Sequence, residues 1–573
     1  MFIILVCFQI FIFFCTMKIS GKYQPFIPVP TFNRTWPDKV ITKAPIRCSV
    51  DLRDGNQALI NPMGVEQKLA FFHLLVDIGF KEIEVGFPAS SQTEYTFIRR
   101  LIEENQIPDD VTIQVLCQAR PPLIQKTFES IQWAKKVIFN LYNSLSPAQR
   151  KYTFNKTKEE IKNIALDGVK EIKRCYEQSP FLDLRLSYSA ESFSLTEIDY
   201  SLEVCNAVID TWGLWNDDAH KPILNLPATV ECSLPNQFAD QIEYFCQHIA
   251  HRQELLISLH NHNDRWESIA QCELGLLAGA DRVEGCLFGN GERTGNLDLV
   301  TTALNMFTQG IDPQLDFSHL PEIADLYTKL TNMPIHPRTP YAWELVLTAF
   351  SGSHQDAIRK WMAARIKLDP DAYWDVPYLP FDPHDLGRQY EGIIRINSQS
   401  GKGWAVYLLE EHLKLSIPKA MHSSIGTLMK KETDKLQREL STEEVLLLFK
   451  NHRLHTKSPL RIVKIAEQYL EGSHKKSVEN FSTIIWKGKT YMIHGIGKWA
   501  LEAFVDALSH TPLPKFNVVS FFSHSIGEGV NSKAVAYLNI IKEDGTDVRG
   551  IWESQNIGRA AISAVVSALN FKG

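Results

Sequence analysis

The sequence predicts an α/β protein. Its first half reads as a (β/α)8 TIM barrel, followed by a helical linker region and a C-terminal α+β domain. Three observations predict this. Between residues 46 and 291, eight apolar strand-like runs alternate with stretches of helical period. Polar residues gather at the C-terminal ends of those runs. After about residue 478 the pattern changes to strands followed by a helix, and it does so twice.

The runs in order are "IRCSVDLRD" (46–54), "EIEVGFP" (82–88), "TIQVLCQAR" (112–120), "KVIFNLYN" (136–143), "LDLRLSYSAES" (182–192), "ILNLPATV" (223–230), "LLISLHNHND" (255–264) and "RVEGCLFGNG" (282–291). Amphipathic segments such as 64–79 and 157–178 lie between them. Eight such repeats fit a closed barrel of about 250 residues. The alternative, a doubly wound open sheet, wants a Gly-rich phosphate loop after its first strand, and "DLRDGNQAL" is not one. The expected divisions are a segment 1–16, an arm 17–45, a barrel 46–330, linker subdomains 331–477 and a terminal domain 478–573.

Composition narrows the function classes. The 573 residues are 44% hydrophobic and 22% charged, with a formal net charge of −6, so neither a nucleic-acid surface nor an anionic-lipid anchor is indicated. Ten scattered cysteines without a Cys-x-x-Cys read as free thiols in a reducing compartment, which points to the cytoplasm. Residues 2–15, "FIILVCFQIFIFFC", are uncharged but shorter than the roughly 20 residues of a membrane span. They lack the basic start and cleavage site of a signal peptide. We expect the working protein to begin near Met17; a genuine anchor or targeting segment is the other reading.

Side chains of a strand alternate in direction, so His260 and His262 in "LISLHNHND" point the same way. At the upper rim of a barrel that direction is the mouth, where barrel enzymes place their chemistry. Arg53, Asp54, Arg120, Glu191, Thr229 and the stretch 290–296 fall at the same ends. The first and seventh strands lie close in a closed barrel, so Asp54 can add a carboxylate. Two imidazoles and a carboxylate can hold a divalent cation and leave positions open for substrate. Mixed N and O donors admit Mg²⁺, Mn²⁺ or Zn²⁺. Alternatively, the histidines are only polar residues at a strand end.

At "CSVDLRDGNQAL" (48–59) the sequence resembles the 2-isopropylmalate synthases, part of a metal-dependent barrel superfamily with homocitrate and citramalate synthases and hydroxymethylglutaryl-CoA lyases. The resemblance continues in order through "EVGFPASSQTE" (84–94), "YSAESFSLTE" (188–197), "NLPATVE" (225–231), "SLHNHND" (258–264), "GCLFGNGERTGNLDLVT" (285–301) and "TAFSGSHQDAI" (348–358). The segment 376–403 resembles the longer bacterial and fungal type.

This resemblance implies a condensation of acetyl-CoA with 3-methyl-2-oxobutanoate to 2-isopropylmalate and CoA, the first committed step of leucine synthesis. It implies metal ligands Asp54, His260, His262 and Asn296, with Mg²⁺ the expected ion and K⁺ a candidate activator. Arg53 would stabilise charge on the reacting oxygens, or else pair with a neighbour such as Glu84. Glu191 and His354 would share the proton transfer, in an order the sequence leaves open. His354 would come from the second subunit of a homodimer. Thr229 would hold the keto-acid carboxylate, and Tyr390 is a further candidate near the partner's site. "GNGERTGN" (289–296) lacks a P-loop ending and would turn the chain to deliver Asn296. The sister condensing enzymes and a non-catalytic leucine-binding protein are the alternative functions.

The helices "ALEAFVDALSH" and "AAISAVVSALN" look like copies. Residues 478–573 resemble the family's regulatory domain, two βββα units that take L-leucine at a subunit interface. Gly495, Gly497 and Trp499 fall at that pocket. Lys498-Trp499 stands where the family has small turn-forming residues, which puts leucine inhibition in doubt.

Overall fold

A computed structural model describes residues 26–571, apart from 31–32, 181, 215–216, 348, 350, 366–371, 389, 391–401, 437–439, 453, 455, 457, 472–475 and 528–531. The apolar segment 1–16 and the start near Met17 lie outside the described residues. The chain divides into two compact units. One runs to Val346 and includes Asp382–Gln389; the other holds Leu347–Phe381 and Tyr390 onward.

The first unit is a closed parallel barrel in strand order one to eight. Its strands are β1 (Ile46–Ser49), β2 (Glu82–Gly86), β3 (Thr112–Gln118), β4 (Lys136–Ser144), β5 (Asp183–Glu191), β6 (Ile223–Ala228), β7 (Leu256–Asn261) and β8 (Arg282–Gly285). Closure is made by β1 and β8, paired from Ile46 with Arg282 to Ser49 with Gly285. All eight expected runs become strands, but most end earlier than expected, the first and the eighth most of all. Beyond Ser49 the Val50 carbonyl accepts the N–H groups of Arg53, Asp54 and Gly55 at 3.1, 2.9 and 3.1 Å, coiling the chain into a π-turn. Arg53 and Asp54 therefore sit on a helical turn above the strand. Asp51 fixes that turn. It accepts the Ser49 hydroxyl at 2.8 Å and the Leu287 N–H at 3.1 Å. Burial raises its carboxyl to about 7, against these hydrogen bonds.

The outer helices follow from periodicity and capping. The helix Lys158–Glu177 buries Ile161, Ala165, Gly168, Val169, Ile172 and Cys175 on one face. It begins with a reciprocal cap, Glu160 N–H to the Thr157 hydroxyl at 3.2 Å and Thr157 N–H to the Glu160 carboxylate at 2.8 Å. Among the described residues no helix is long and apolar enough to cross a membrane.

In the second unit, two antiparallel sheets each carry one helix. The first contains β9 (Leu460–Glu471), β10 (Lys476–Trp486) and β11 (Lys489–Gly497), followed by the helix Ala500–Ser509. The second contains β12 (Phe516–Ile526), β13 (Lys533–Lys542) and β14 (Asp547–Ser554), followed by Ile557–Asn570. These are two βββα units around a shared core that includes Phe504, Leu508, Leu538, Ile562 and Val565. The expected boundary at 478 falls inside β10, and β9 lies in the stretch expected to be linker. Its charge-rich sequence, "LRIVKIAEQYLE", hides the strand because much of it is exposed. Three linker helices, Lys402–Leu413, Lys419–Leu436 and Thr442–His452, pack Leu409, Ile425, Met429 and Phe449 against Val535 and Tyr537.

Candidate active site

At the C-terminal mouth of the barrel, Asp54, His260 and His262 converge. One potential ligand atom from each lies within 4.8 Å of the others, and all three residues are buried. Asp54 Oδ2 lies 3.2 Å from His260 Nε2 and 3.3 Å from His262 Nε2. The opposite ring nitrogens have their own partners. His260 Nδ1 is 2.7 Å from the Glu284 carboxylate, and His262 Nδ1 is 3.3 Å from the Ala228 carbonyl. Each outer partner is an acceptor, so each ring keeps a proton on Nδ1 and presents its Nε2 inward. Two ring nitrogens closing on one carboxylate make a place for positive charge, which a proton on Nε2 or a divalent cation in its stead supplies.

Asn296 joins from the loop after β8. Its amide donates to Asp54 Oδ2 at 2.9 Å, while its buried Oδ1 has no hydrogen-bond partner. An orphaned buried oxygen beside two imidazoles and a carboxylate suits a divalent ion, since rotating the amide would offer that oxygen to it. The loop reaches this point through Gly295, at φ +105°, where a Cβ would fall 1.9 Å from the Gly289 carbonyl oxygen. No residue with a side chain fits there.

Below the cluster lies a buried polar network of which the sequence reading named only the Arg53–Glu84 pair. Glu284 accepts from Arg282 at 2.6 Å, Gln114 at 2.9 Å and Asn225 at 3.0 Å, besides facing His260. Glu84 accepts from Arg53, from Gln114 at 2.6 Å and from Asn140 at 3.2 Å. Arg282 also binds Glu82 at 2.6 Å, and Arg185 reaches the same carboxylate at 3.3 Å. Four carboxylates (Asp54, Glu82, Glu84 and Glu284) thus face three guanidiniums (Arg53, Arg185 and Arg282). The set is one positive charge short. Burial works against a charged His260, but its bonds to Asp54 and Glu284 prevail and raise it to about 9. The same deficit favours a bound cation.

Arg53 spans the site, bonded to Asp54 at 2.7 Å and to Glu84. Burial acts against its charge, but these carboxylates hold it above the ordinary arginine range. Glu191 ends β5, and burial raises its carboxyl. Next to it, Ser192 adopts φ +63° and gives its N–H to the Thr229 hydroxyl oxygen at 2.9 Å. The Thr229 hydroxyl proton therefore remains available to a ligand. Tyr142 of β4 belongs to the same mouth: burial and then Glu191 raise its phenol, with Arg53 and Arg120 opposing. Sequence reasoning missed Tyr142, Glu284 and Gln114. The signal was present, because polar residues recur at every second position within these strands, as in Ser258, His260 and His262 or Arg282 and Glu284.

In the second unit, His354 lies on the helix Gly352–Arg365 with its ring stacked on Tyr378 at 3.8 Å. The Tyr390 hydroxyl is shielded, without a hydrogen-bond partner among the described residues. Gly495 and Gly497 are packing positions. A Cβ at either would stand 2.3 or 2.4 Å from the backbone of Ala507 or Ala503, so the glycines let the helix Ala500–Ser509 lie on β11. Trp499 caps that helix and meets Phe521 edge-on, ring centres 5.4 Å apart.

A closed parallel barrel with an Asp-His-His cluster buried at its mouth defines a metal-dependent TIM-barrel enzyme. A family model described as HMGL-like matches residues 44–327. One described as alpha-isopropylmalate synthase, post-catalytic domain-like, matches 344–410, and the LeuA allosteric (dimerisation) domain matches 439–572. A 2-isopropylmalate synthase of Clostridium acetobutylicum is 49% identical over 556 residues, covering 96% of this chain and 99% of that protein. One from Azotobacter vinelandii is 48% identical, covering 96% of this chain and 97% of its own length. A solved hydroxymethylglutaryl-CoA lyase from Pseudomonas aeruginosa aligns with 52% of this chain and 96% of its own, at 16% identity and a TM-score of 0.43. The chain belongs to the 2-isopropylmalate synthase family.

Proposed function

We propose that the chain condenses acetyl-CoA with 3-methyl-2-oxobutanoate and water to give 2-isopropylmalate and CoA, in the cytoplasm. The observation that carries this is the buried Asp54-His260-His262 cluster in a chain 49% identical, over 96% of its length, to a 2-isopropylmalate synthase. The eight described cysteines, all free, support a reducing compartment.

Asp54, His260, His262 and the Asn296 oxygen would hold a divalent ion, Mg²⁺ on the family's pattern. When bound, such an ion polarises the keto carbonyl. Thr229 donates its hydroxyl proton to the keto-acid carboxylate. Arg53 stabilises negative charge developing on the keto oxygen and the thioester oxygen. A methyl proton of acetyl-CoA passes to Glu191 or to the partner subunit's His354. The carbon then joins the keto carbon, the keto oxygen takes up a proton, and water cleaves the thioester. Burial suits Glu191 to this task by raising it toward working pH. A carboxylate base works only when deprotonated, so activity falls as pH drops through that raised value.

The test follows CoA release from acetyl-CoA with 3-methyl-2-oxobutanoate, pyruvate and 2-oxoglutarate, in Mg²⁺ and K⁺ and after chelation. The branched acid is expected to be preferred, and chelation to stop turnover. Glu191→Gln is expected to lower kcat roughly a hundred- to ten-thousand-fold. Preference for another keto acid, or an unaffected variant, would reject the assignment it addresses.

Regulation belongs to the same proposal. The LeuA-type domain would pair two subunits and receive L-leucine at a pocket beside Trp499, with Gly495 and Gly497 serving it by seating the helix Ala500–Ser509 on β11. The Trp499 ring fills space that small residues leave open, so L-leucine is expected to inhibit the native chain weakly and Trp499→Gly more strongly. Strong inhibition of the native chain would refute this role for Trp499.

A further inference from the structure

Residues 372–379, which follow the His354 helix, are pinned near both ends of it. At the far end Arg365 lies over two rings, 5.4 Å from the centre of Trp361 and 4.9 Å from that of Trp374. Its guanidinium also donates to the carbonyls of Ala372 and Tyr373 at 2.6 and 3.0 Å. The Trp374 indole N–H then donates to the Leu379 carbonyl at 2.7 Å. These bonds fix the segment as far as residue 379.

At the near end the chain makes a tight turn over Val376, Pro377, Tyr378 and Leu379, closed by Leu379 N–H to the Val376 carbonyl at 3.3 Å. Pro377 occupies the second turn position, and the third has φ +67°. Glycine or asparagine normally fills such a position, because a Cβ strains the left-handed backbone. Here it carries tyrosine, whose residue is 59% exposed. Burial therefore does not explain the strained choice. The conformation closes the turn and lays the phenol on the His354 imidazole, ring centres 3.8 Å apart and planes within 18°. Strain kept at an exposed residue points to a role for what it places.

We propose that Tyr378 is a positioning residue for His354, fixing the plane of the imidazole through ring stacking. This rests on the reading of His354 as a proton-transfer group. A histidine side chain has two rotatable bonds, and a ring face parallel to the imidazole restricts both. Tyr378 acts through His354 and needs no contact with substrate. The contact requires a flat ring, not a hydroxyl.

The test is a kinetic cycle on the full-length enzyme with Tyr378→Ala, Tyr378→Phe, His354→Asn and the double variant Tyr378→Ala/His354→Asn. Tyr378→Ala is expected to lower kcat roughly ten- to a hundred-fold, the scale of a misplaced reacting group, with both KM values within about threefold. Tyr378→Phe keeps the stack and is expected to recover most of the loss. In the His354→Asn background, Tyr378→Ala is expected to cost nothing further. A loss that persists in that background, a Phe variant as poor as Ala, or an Ala variant with native kcat would each overturn the proposal. If His354→Asn alone keeps native kcat, the proton-transfer reading fails and the positioning role falls with it. A near-native His354→Asn therefore separates that failure from a failure of Tyr378 alone. Circular dichroism and the elution volume of each variant check that it is folded and assembled.

Discussion

Arg53→Ala is expected to lower kcat/KM roughly a hundred- to a thousand-fold, and to destabilise the fold by about 3–5 kcal/mol. Both effects come from one placement. The guanidinium is bonded to Asp54 and to Glu84, whose side chains are 4% and 0% exposed. Removing it leaves two carboxylates in a nearly dry site with fewer cations to balance them. It also removes the fixed positive charge from the edge of the cation site. Arg53→Lys separates the two roles. Lysine keeps the charge but is a point donor without a planar fork, so it cannot serve both carboxylates in the same geometry. Its stability is expected to fall between those of Ala and the native chain, with most of the catalytic loss retained. Steady-state kinetics and urea unfolding measure the two quantities. An Arg53→Ala variant within tenfold of native activity would show that Arg53 only balances charge.

Glu284→Gln is expected to weaken divalent-ion binding by roughly ten- to a hundred-fold, the usual effect of removing an outer partner of a metal-binding histidine. Glutamine has nearly the same volume, and its oxygen can still accept from Arg282, Gln114 or Asn225. It no longer supplies a second acceptor, so an amide N–H can face His260 Nδ1. That contact favours the other imidazole tautomer, which places a proton on Nε2, where a cation needs a lone pair. The fold should hold, because Arg282 keeps Glu82 at 2.6 Å. Calorimetric titration of metal-free protein with Mn²⁺ reads affinity without activity. Equal affinity in native and variant protein would refute the role given to Glu284.

Much of the site was legible locally because strand periodicity is local. His260 and His262 share a direction whatever surrounds β7, and Glu191 and Thr229 follow from where β5 and β6 end. The turn at Asp51 was not legible. Its π-geometry depends on the Leu287 N–H, a partner far along the chain. The strand β9 was missed for a related reason: its exposed, charged residues obscure the alternation, and pairing with β10 and burial of Leu460 against distant residues hold it extended.

The sequence by itself determined the order of strands and helices, the shared direction of the two histidines and the chemistry its motifs resemble. Only the tertiary structure decided what lies beneath them. Arg53 meeting Glu84, and Asp54 reaching the ring nitrogens of β7, require residues distant in sequence to arrive at one height. That height is set by barrel closure, with Cys48 of β1 level with both Glu82 of β2 and Glu284 of β8. Strand register is a property of pairing, and a shift of one residue would turn Glu284 away from His260. No local pattern encodes that register; the packed barrel selects it by burying the carboxylates and guanidiniums only where they can pair.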